Sequence, residues 1–215
     1  MNKAICLMID THYKATRKAL ASLSCCEKIK EWTLIIRVDP QCPRVIALIR
    51  SFQESFKTVE VFVNPTKYGP TINFFKTLYE AMAKHEKILV IHSNYILTTD
   101  SFHYLDKALE ISEKNREIFA VNLLGGTSKE NPSKITKSKH LYSECFSILT
   151  KRMIPFINEF EDTGKDLKIY LKEYILKNNL KILTPVSSRA LKFGDDYKKD
   201  PSFERNSSFY GEFEL

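Results

Sequence analysis

Short, largely apolar runs recur along the first 124 residues, and each ends at polar residues or at proline. Runs of this kind are typical of strands that are buried on both faces of a parallel sheet. The clearest is Ile88–Ile91, which stops at His92-Ser93-Asn94. The predicted strands are Lys3–Met8, Trp32–Val38, Thr58–Val63, Ile88–Ile91 and Ile118–Leu123.

Between these runs, apolar residues recur at the spacing of helices. The predicted helices are Ala15–Leu23, Arg44–Phe56, Ile72–Lys84 and one that begins after the capping residues Thr98-Thr99-Asp100. Strands that alternate with helices through short connections predict an α/β fold, a mostly parallel, doubly wound sheet flanked by helices.

The pattern changes after Leu124. A polar, basic loop reaches His140, and Leu141–Leu149 is apolar enough for a strand or a buried segment. The sequence then predicts the helices Arg152–Phe160 and Asp166–Lys177, a short strand Lys181–Leu183, and a tail from Arg189 that folds partly over the site. We expect one domain over residues 1–215, with a nucleotide-binding half (1–124) and an acceptor-side half (125–215).

Composition narrows the classes of partner. The net charge is +7, from 33 basic and 26 acidic residues that are interspersed, which suits anionic substrates such as nucleotide diphosphates. No RNP, zinc-finger or helix-turn-helix signature accompanies this charge, so a nucleic-acid partner is not favoured. Five cysteines without metal-ligand spacing indicate a reducing compartment. With no signal peptide and no apolar run long enough to span a membrane, the expected location is cytoplasmic.

Polar side chains follow three of the predicted strands. Asp10 follows the first strand, Asp39 the second and His92-Ser93-Asn94 the fourth. Ligands of open α/β sheets bind outside the carboxyl ends of the strands, where these side chains converge. Carboxylates there can accept hydrogen bonds from a nucleotide base and ribose. The alternative is that each aspartate only caps a helix or forms a turn.

Several motifs, in order and spacing, resemble one known family. Ile88–Ile91, His92-Ser93-Asn94 and residues 99–105 (TDSFHYL) match a buried strand, an acidic triplet and the Pro-Asp-Phe-Phe-Glu-Tyr-Phe segment of that family without a gap. Ile9-Asp10-Thr11 and Val38-Asp39-Pro40 match its first two strand ends. Residues 188–194 (SRALKFG) match its Ser-Arg-Thr-x-x-Phe-Gly. The chain therefore resembles N-acetylglucosaminyltransferase I, an inverting GT-A glycosyltransferase that uses UDP-GlcNAc.

The resemblance implies a UDP-sugar donor, a glycan or other hydroxyl acceptor, and roles for particular residues. Asp166 becomes the expected catalytic base, with Asp162 behind it, and Asp39 is expected to face the uracil. The other expected nucleotide-binding residues are Asp10, Thr11, Lys76, Thr77 and Ser93. Arg189 and Lys192 are expected at the diphosphate.

One departure from the family concerns the metal. The family's metal-binding aspartate is replaced by Asn94, so a Mn²⁺ or Mg²⁺ site would depend on Asn94 and His92. Three readings follow: a metal-independent transferase with basic residues at the diphosphate, a transferase that keeps a metal through Asn94 and His92, and a catalytically inactive binding module. A glucosyltransferase acting on modified DNA is a further alternative.

Overall fold

A computed structural model describes residues 2–9, 13–40, 42–126, 133–160 and 166–193. Within these ranges the strands are β1 (Lys3–Met8), β2 (Trp32–Val38), β3 (Thr58–Val63), β4 (Lys87–His92), β5 (Tyr95–Leu97), β6 (Ile118–Asn122), β7 (Ile135–Ser138), β8 (Cys145–Leu149), β9 (Lys181–Pro185) and β10 (Ala190–Lys192). The α-helices are α1 (Tyr13–Ser24), α2 (Pro43–Ser51), α3 (Pro70–Met82), α4 (Ser101–Lys114), α5 (Thr150–Phe160) and α6 (Leu167–Lys177).

In the described residues, eight strands form one sheet in the order β3-β2-β1-β4-β8-β6-β9-β7. Strands β3, β2, β1 and β4 are parallel, and β6 and β9 run in the same direction. Strands β8 and β7 run the opposite way. A separate antiparallel pair, β5 with β10, lies beyond the end of β4. The predicted α/β fold with a mostly parallel sheet flanked by helices is confirmed.

The sheet separates two hydrophobic cores. One contains buried side chains of α1, α2 and α4, and the other contains those of α3, α5 and α6. Residues Ile88–Ile91 of β4 alternate between the two cores and are almost fully buried. The unbroken apolar run of this strand follows from its having a core on each face.

The structure differs from the sequence prediction mainly in the second half. Strand β7 lies inside the stretch that was predicted as a loop, and β8 is an antiparallel strand between β4 and β6. Helix α2 ends at Ser51 rather than at Phe56, because a 3₁₀ turn over Gln53–Ser55 replaces its last turn. Among the helices in the ranges above, none combines the length and apolar character needed to cross a membrane.

Candidate functional site

A cleft of about 350 Å³ lies at the carboxyl ends of the parallel strands. Its walls come from the ends of β1 and β4, the first turns of α3, the segment before β8 and the start of α6. The N-cap residue of α3 is Gly69, which has no side chain to accept hydrogen bonds from the first turn, and the positive end of the helix dipole borders the cleft. The lining residues that carry polar or charged side chains are Arg37, Thr71, Asn73, Thr77, His92, Ser143, Glu144, Asp166 and Lys168.

A hydrogen-bond network links Asp39, which lines a different concavity, to this cleft. The Asp39 Oδ1 atom accepts from Asn64 Nδ2 at 2.7 Å and from Asn73 Nδ2 at 3.2 Å, and Asn73 lines the cleft. Asn64 also accepts from Arg37 Nη1 at 3.2 Å. Burial alone would raise the pKa of Asp39, but these hydrogen bonds outweigh it and lower the pKa. The carboxylate is therefore ionised and fixed in direction.

The polar triplet His92-Ser93-Asn94, which begins with the last residue of β4, forms a tight turn beside the cleft. His92 lines the cleft, and its Nδ1 lies 2.9 Å from Asn94 Oδ1. Ser93 is fully buried, and its backbone N–H donates to the Met8 carbonyl at 2.7 Å. The expected nucleotide contact through the Ser93 side chain does not fit this burial.

The turn does not suit a divalent cation. An imidazole and an amide oxygen that already contact each other are a poor donor set for Mg²⁺ or Mn²⁺, which prefer carboxylates. No group of three or more His, Cys, Asp or Glu side chains within the described ranges is arranged to hold a metal ion. The expected metal site at His92 and Asn94 therefore does not fit the donors present.

Asp166 lines the cleft at the start of α6. Its Oδ1 accepts hydrogen bonds from the backbone N–H groups of Lys168 at 2.9 Å and Ile169 at 3.2 Å, which is the geometry of a helix N-cap. Both of these bonds go to one oxygen of the carboxylate. Asp166 thus combines a capping role with a position in the cleft.

Glu144 forms a junction of charges next to His92. Its carboxylate accepts from Lys168 Nζ and from Lys192 Nζ, each at 2.8 Å, and from the Tyr95 hydroxyl at 3.2 Å. Partial burial would raise the pKa of Glu144, but the two lysines outweigh it and lower the pKa to about 2. The expected diphosphate residue Lys192 therefore lies at this junction, paired with an ionised carboxylate.

Arg189 requires a correction. Its side chain is 0% exposed, and its Nε lies 3.0 Å from Asp100 Oδ2 in a buried ion pair. The Tyr104 ring covers the guanidinium, with 5.9 Å from Cζ to the ring centroid. A group enclosed in this way cannot reach a diphosphate in the cleft, so its position fits a structural role.

The other expected residues divide into three groups. Thr77 lines the cleft but is buried, and its hydroxyl donates to the Asn73 carbonyl at 2.6 Å. Lys76 is exposed outside the cleft, with its ammonium 5.1 Å from the centre of the Tyr68 ring. The predictions for Asp10, Thr11 and Asp162 lie outside the described residues.

Sequence reasoning missed Glu144, Lys168 and Arg37. An antiparallel strand begins at the edge where parallel strands end, so Glu144, directly before β8, falls at the cleft. The direction of β8 would have identified it, but a short apolar run does not encode direction. Arg37 lies within a predicted buried strand, where a lone arginine was the available signal.

Comparisons with known proteins give the fold but no family. No protein-family model matches the chain, and no curated protein matches it. Among solved structures, residues 1–349 of S. aureus TarS in complex with UDP-GlcNAc superpose with a TM-score of 0.64 and 12% identity, covering 96% of this chain and 64% of that one. The mannosyltransferase PcManGT from Pyrobaculum calidifontis, in complex with GDP-Man and Mn²⁺, gives a TM-score of 0.60 and 9% identity, covering 85% of this chain and 54% of that one.

This chain thus spans less than two thirds of the length of either protein. The similarity establishes a GT-A-like α/β fold. At these identities it does not by itself assign an activity.

Proposed function

We propose that the chain is a glycosyltransferase that moves a sugar from a UDP-sugar to a hydroxyl acceptor with inversion, without a metal ion at His92 and Asn94. The observation that carries the proposal is that Asp166, His92, Glu144 and Lys168 line one cleft at the strand ends of a GT-A-like fold. TarS and PcManGT, which share this fold, were solved with a nucleotide-sugar bound, and this supports a donor of that class.

Charge at the cleft supports binding of a diphosphate. Lys168 lines the cleft and Lys192 lies outside it, and both ammonium groups pair with the carboxylate of Glu144, so this junction at the edge of the cleft carries a net positive charge. The uncapped amino end of α3 adds a further positive field. These groups can stabilise the negative charge that develops on the leaving UDP. In metal-dependent enzymes a divalent cation stabilises this charge.

The proposed reaction assigns one proton transfer to this chain. The acceptor hydroxyl oxygen attacks the anomeric carbon of the donor sugar, and the bond from that carbon to the phosphate oxygen breaks. The leaving UDP keeps the electron pair, and the hydroxyl proton passes to the carboxylate of Asp166. We assign to Asp39, which Asn64 and Asn73 hold by hydrogen bonds, the role of accepting a hydrogen bond from the uracil.

Calorimetric titration with UDP, first in EDTA and then with Mn²⁺, tests the proposal together with a screen for release of UDP or GDP from nucleotide-sugars. We expect UDP to bind equally well in both conditions and a UDP-sugar to be turned over. Lys168→Gln should weaken UDP binding about fivefold or more, because it removes a charge-assisted phosphate contact. Lys107→Gln, on the exposed face of α4, is the matched control.

A catalytically inactive nucleotide-binding module is the second candidate. The direct contact between His92 and Asn94, in place of metal-binding carboxylates, favours it. UDP binding that is equally tight in EDTA and with Mn²⁺, without turnover of any nucleotide-sugar, would favour this candidate. Binding that requires Mn²⁺ would contradict the proposed metal-free site, and absence of UDP binding would contradict both candidates.

A further inference from the structure

A second concavity, of about 660 Å³, adjoins the cleft on the far side of Glu144. We call it the groove. It runs between α6 and the segment that precedes β8, and it shares Ser143, Glu144 and Lys168 with the cleft. The residues that line the groove are Tyr95, Lys139, His140, Leu141, Tyr142, Ser143, Glu144, Lys168, Leu171, Lys172, Ile175, Leu176 and Lys192.

The groove has an apolar floor and a basic rim. Leu171 and Ile175 of α6 are buried beneath it, and Leu176 is 48% exposed. Four lysines line it against the single carboxylate of Glu144. Lys168 and Lys192 pair with Glu144, whereas Lys139 and Lys172 have no carboxylate partner in the described part of the chain.

The wall opposite α6 is held in place by a buried amide. Asn122 at the end of β6 is fully buried, and its Nδ2 donates to the His140 carbonyl at 2.9 Å. Its Oδ1 accepts from the Tyr142 N–H at 3.0 Å. The His140 and Tyr142 rings also contact each other edge to face, with 4.6 Å between centroids. The groove is therefore fixed by the core of the protein rather than formed by loose surface lysines.

We propose that this groove is the acceptor subsite and that it takes an anionic saccharide, bearing carboxylate or phosphate groups. The inference rests on the proposed function, since the groove lies across Glu144 from the donor cleft. The sugar rings would pack on Tyr142 and the apolar floor, and the anionic groups would meet Lys139 and Lys172. A volume of about 660 Å³ suits a few saccharide units rather than a nucleic-acid duplex.

Binding to matched pairs of saccharides tests the inference without any need for turnover. The first pair is pentagalacturonate and its methyl ester, and the second is pentamannose phosphate and pentamannose. Within each pair the saccharide chain is the same and only one member is anionic, and the two pairs separate carboxylate from phosphate recognition. We expect the charged member of at least one pair to bind about tenfold more tightly at low ionic strength, with the difference shrinking as salt is added.

The double variant Lys139→Gln/Lys172→Gln removes charge from the groove alone, because neither residue lines the cleft. It should weaken binding of the charged saccharide about five- to tenfold and leave UDP binding unchanged. Lys107→Gln/Lys151→Gln removes the same charge from exposed positions outside the groove. It should change neither the binding of the charged saccharide nor the binding of UDP.

Equal binding of charged and neutral saccharides would overturn the inference. An equal loss of affinity for the charged saccharide in the groove variant and in the control variant would overturn it as well. Tight binding of oligothymidylate, with no preference for charged saccharides, would also overturn it by identifying a nucleic-acid surface. Binding of a charged saccharide by a protein that binds no UDP would uphold the groove while rejecting the proposed function.

Discussion

At the residue scale, Asp166 combines a helix cap with a position in the cleft. One carboxylate oxygen caps α6 through Lys168 and Ile169, while the residue as a whole lines the cleft beside His92. Sequence reasoning alone could not choose between a cap and a catalytic base. The capping role is seen in the structure and the catalytic role is our proposal, so a substitution that keeps the cap and removes the base is needed to test the second.

Asp166→Asn makes that separation, because asparagine caps a helix about as well as aspartate but cannot take a proton from a hydroxyl group. We expect turnover of the UDP-sugar to fall by about 10² to 10⁴, the usual share of a general base. The melting temperature and the UDP dissociation constant should stay near those of the unaltered protein. Steady-state assays of UDP release and calorimetry provide the measurements. Turnover that survives the substitution would remove Asp166 from the mechanism.

At the scale of elements, the pairing of β5 with β10 brings the chain after Arg189 back to the turn beside the cleft. The Arg189 carbonyl accepts from the Thr98 N–H at 3.0 Å and from the Ser101 hydroxyl at 2.9 Å. At the other end of the pair, the Phe193 N–H donates to the Asn94 carbonyl at 2.8 Å. The buried Arg189–Asp100 ion pair thus fixes two elements that are distant in sequence.

Arg189→Leu should destabilise the protein by about 3–5 kcal/mol, because it leaves Asp100 charged and buried without its partner. Urea unfolding measures this loss. Adding Asp100→Asn to Arg189→Leu should restore part of it, since the unpaired charge is then gone. If Arg189→Leu were as stable as the unaltered protein and had lost only UDP affinity, a diphosphate role for Arg189 would be the better account.

The sequence predicted the elements that have strong periodicity and missed those that depend on pairing. Strands β1, β2 and β3 match their predicted bounds, because each is an apolar run with a polar or proline stop. Strands β5, β7 and β10 are short, and their partners are remote or antiparallel, so no local pattern marks them.

The position of the cleft, at the ends of the parallel strands, was predictable from the sequence. Asp166 was predicted there, but Glu144 and Lys168 were not, because these two residues meet only through the tertiary fold.

At the scale of the whole molecule, ionisable groups couple stability to pH. His85 is 9% exposed, and neither ring nitrogen has a hydrogen-bond partner in the described part of the chain. Burial lowers the pKa of His85 below its ordinary value of 6.5, with Glu60 opposing the shift and Lys84 and Lys57 adding to it. The unfolded chain therefore takes up a proton at a higher pH than the folded protein does.

The stability that comes from keeping His85 neutral and buried is fully present above about pH 6.5. It is lost as the pH falls from there towards the lower pKa of His85 in the folded state. We expect the free energy of unfolding to decline as the pH falls below about 6.5. In His85→Leu this decline should be smaller, whereas His140→Gln, at an exposed position, should leave it unchanged. Urea midpoints across this range measure the effect. An identical decline in His85→Leu would exclude His85 as its source.

The antiparallel strand β8 also has a consequence for synthesis on the ribosome. Strand β4 pairs with β1 on one side and with β8 on the other, and β8 emerges only after β5, α4, β6 and β7. Until Leu149 has left the exit tunnel, the nascent chain presents an unpaired apolar strand edge, which is a ready template for aggregation. A fragment that stops at residue 124 would keep that open edge permanently.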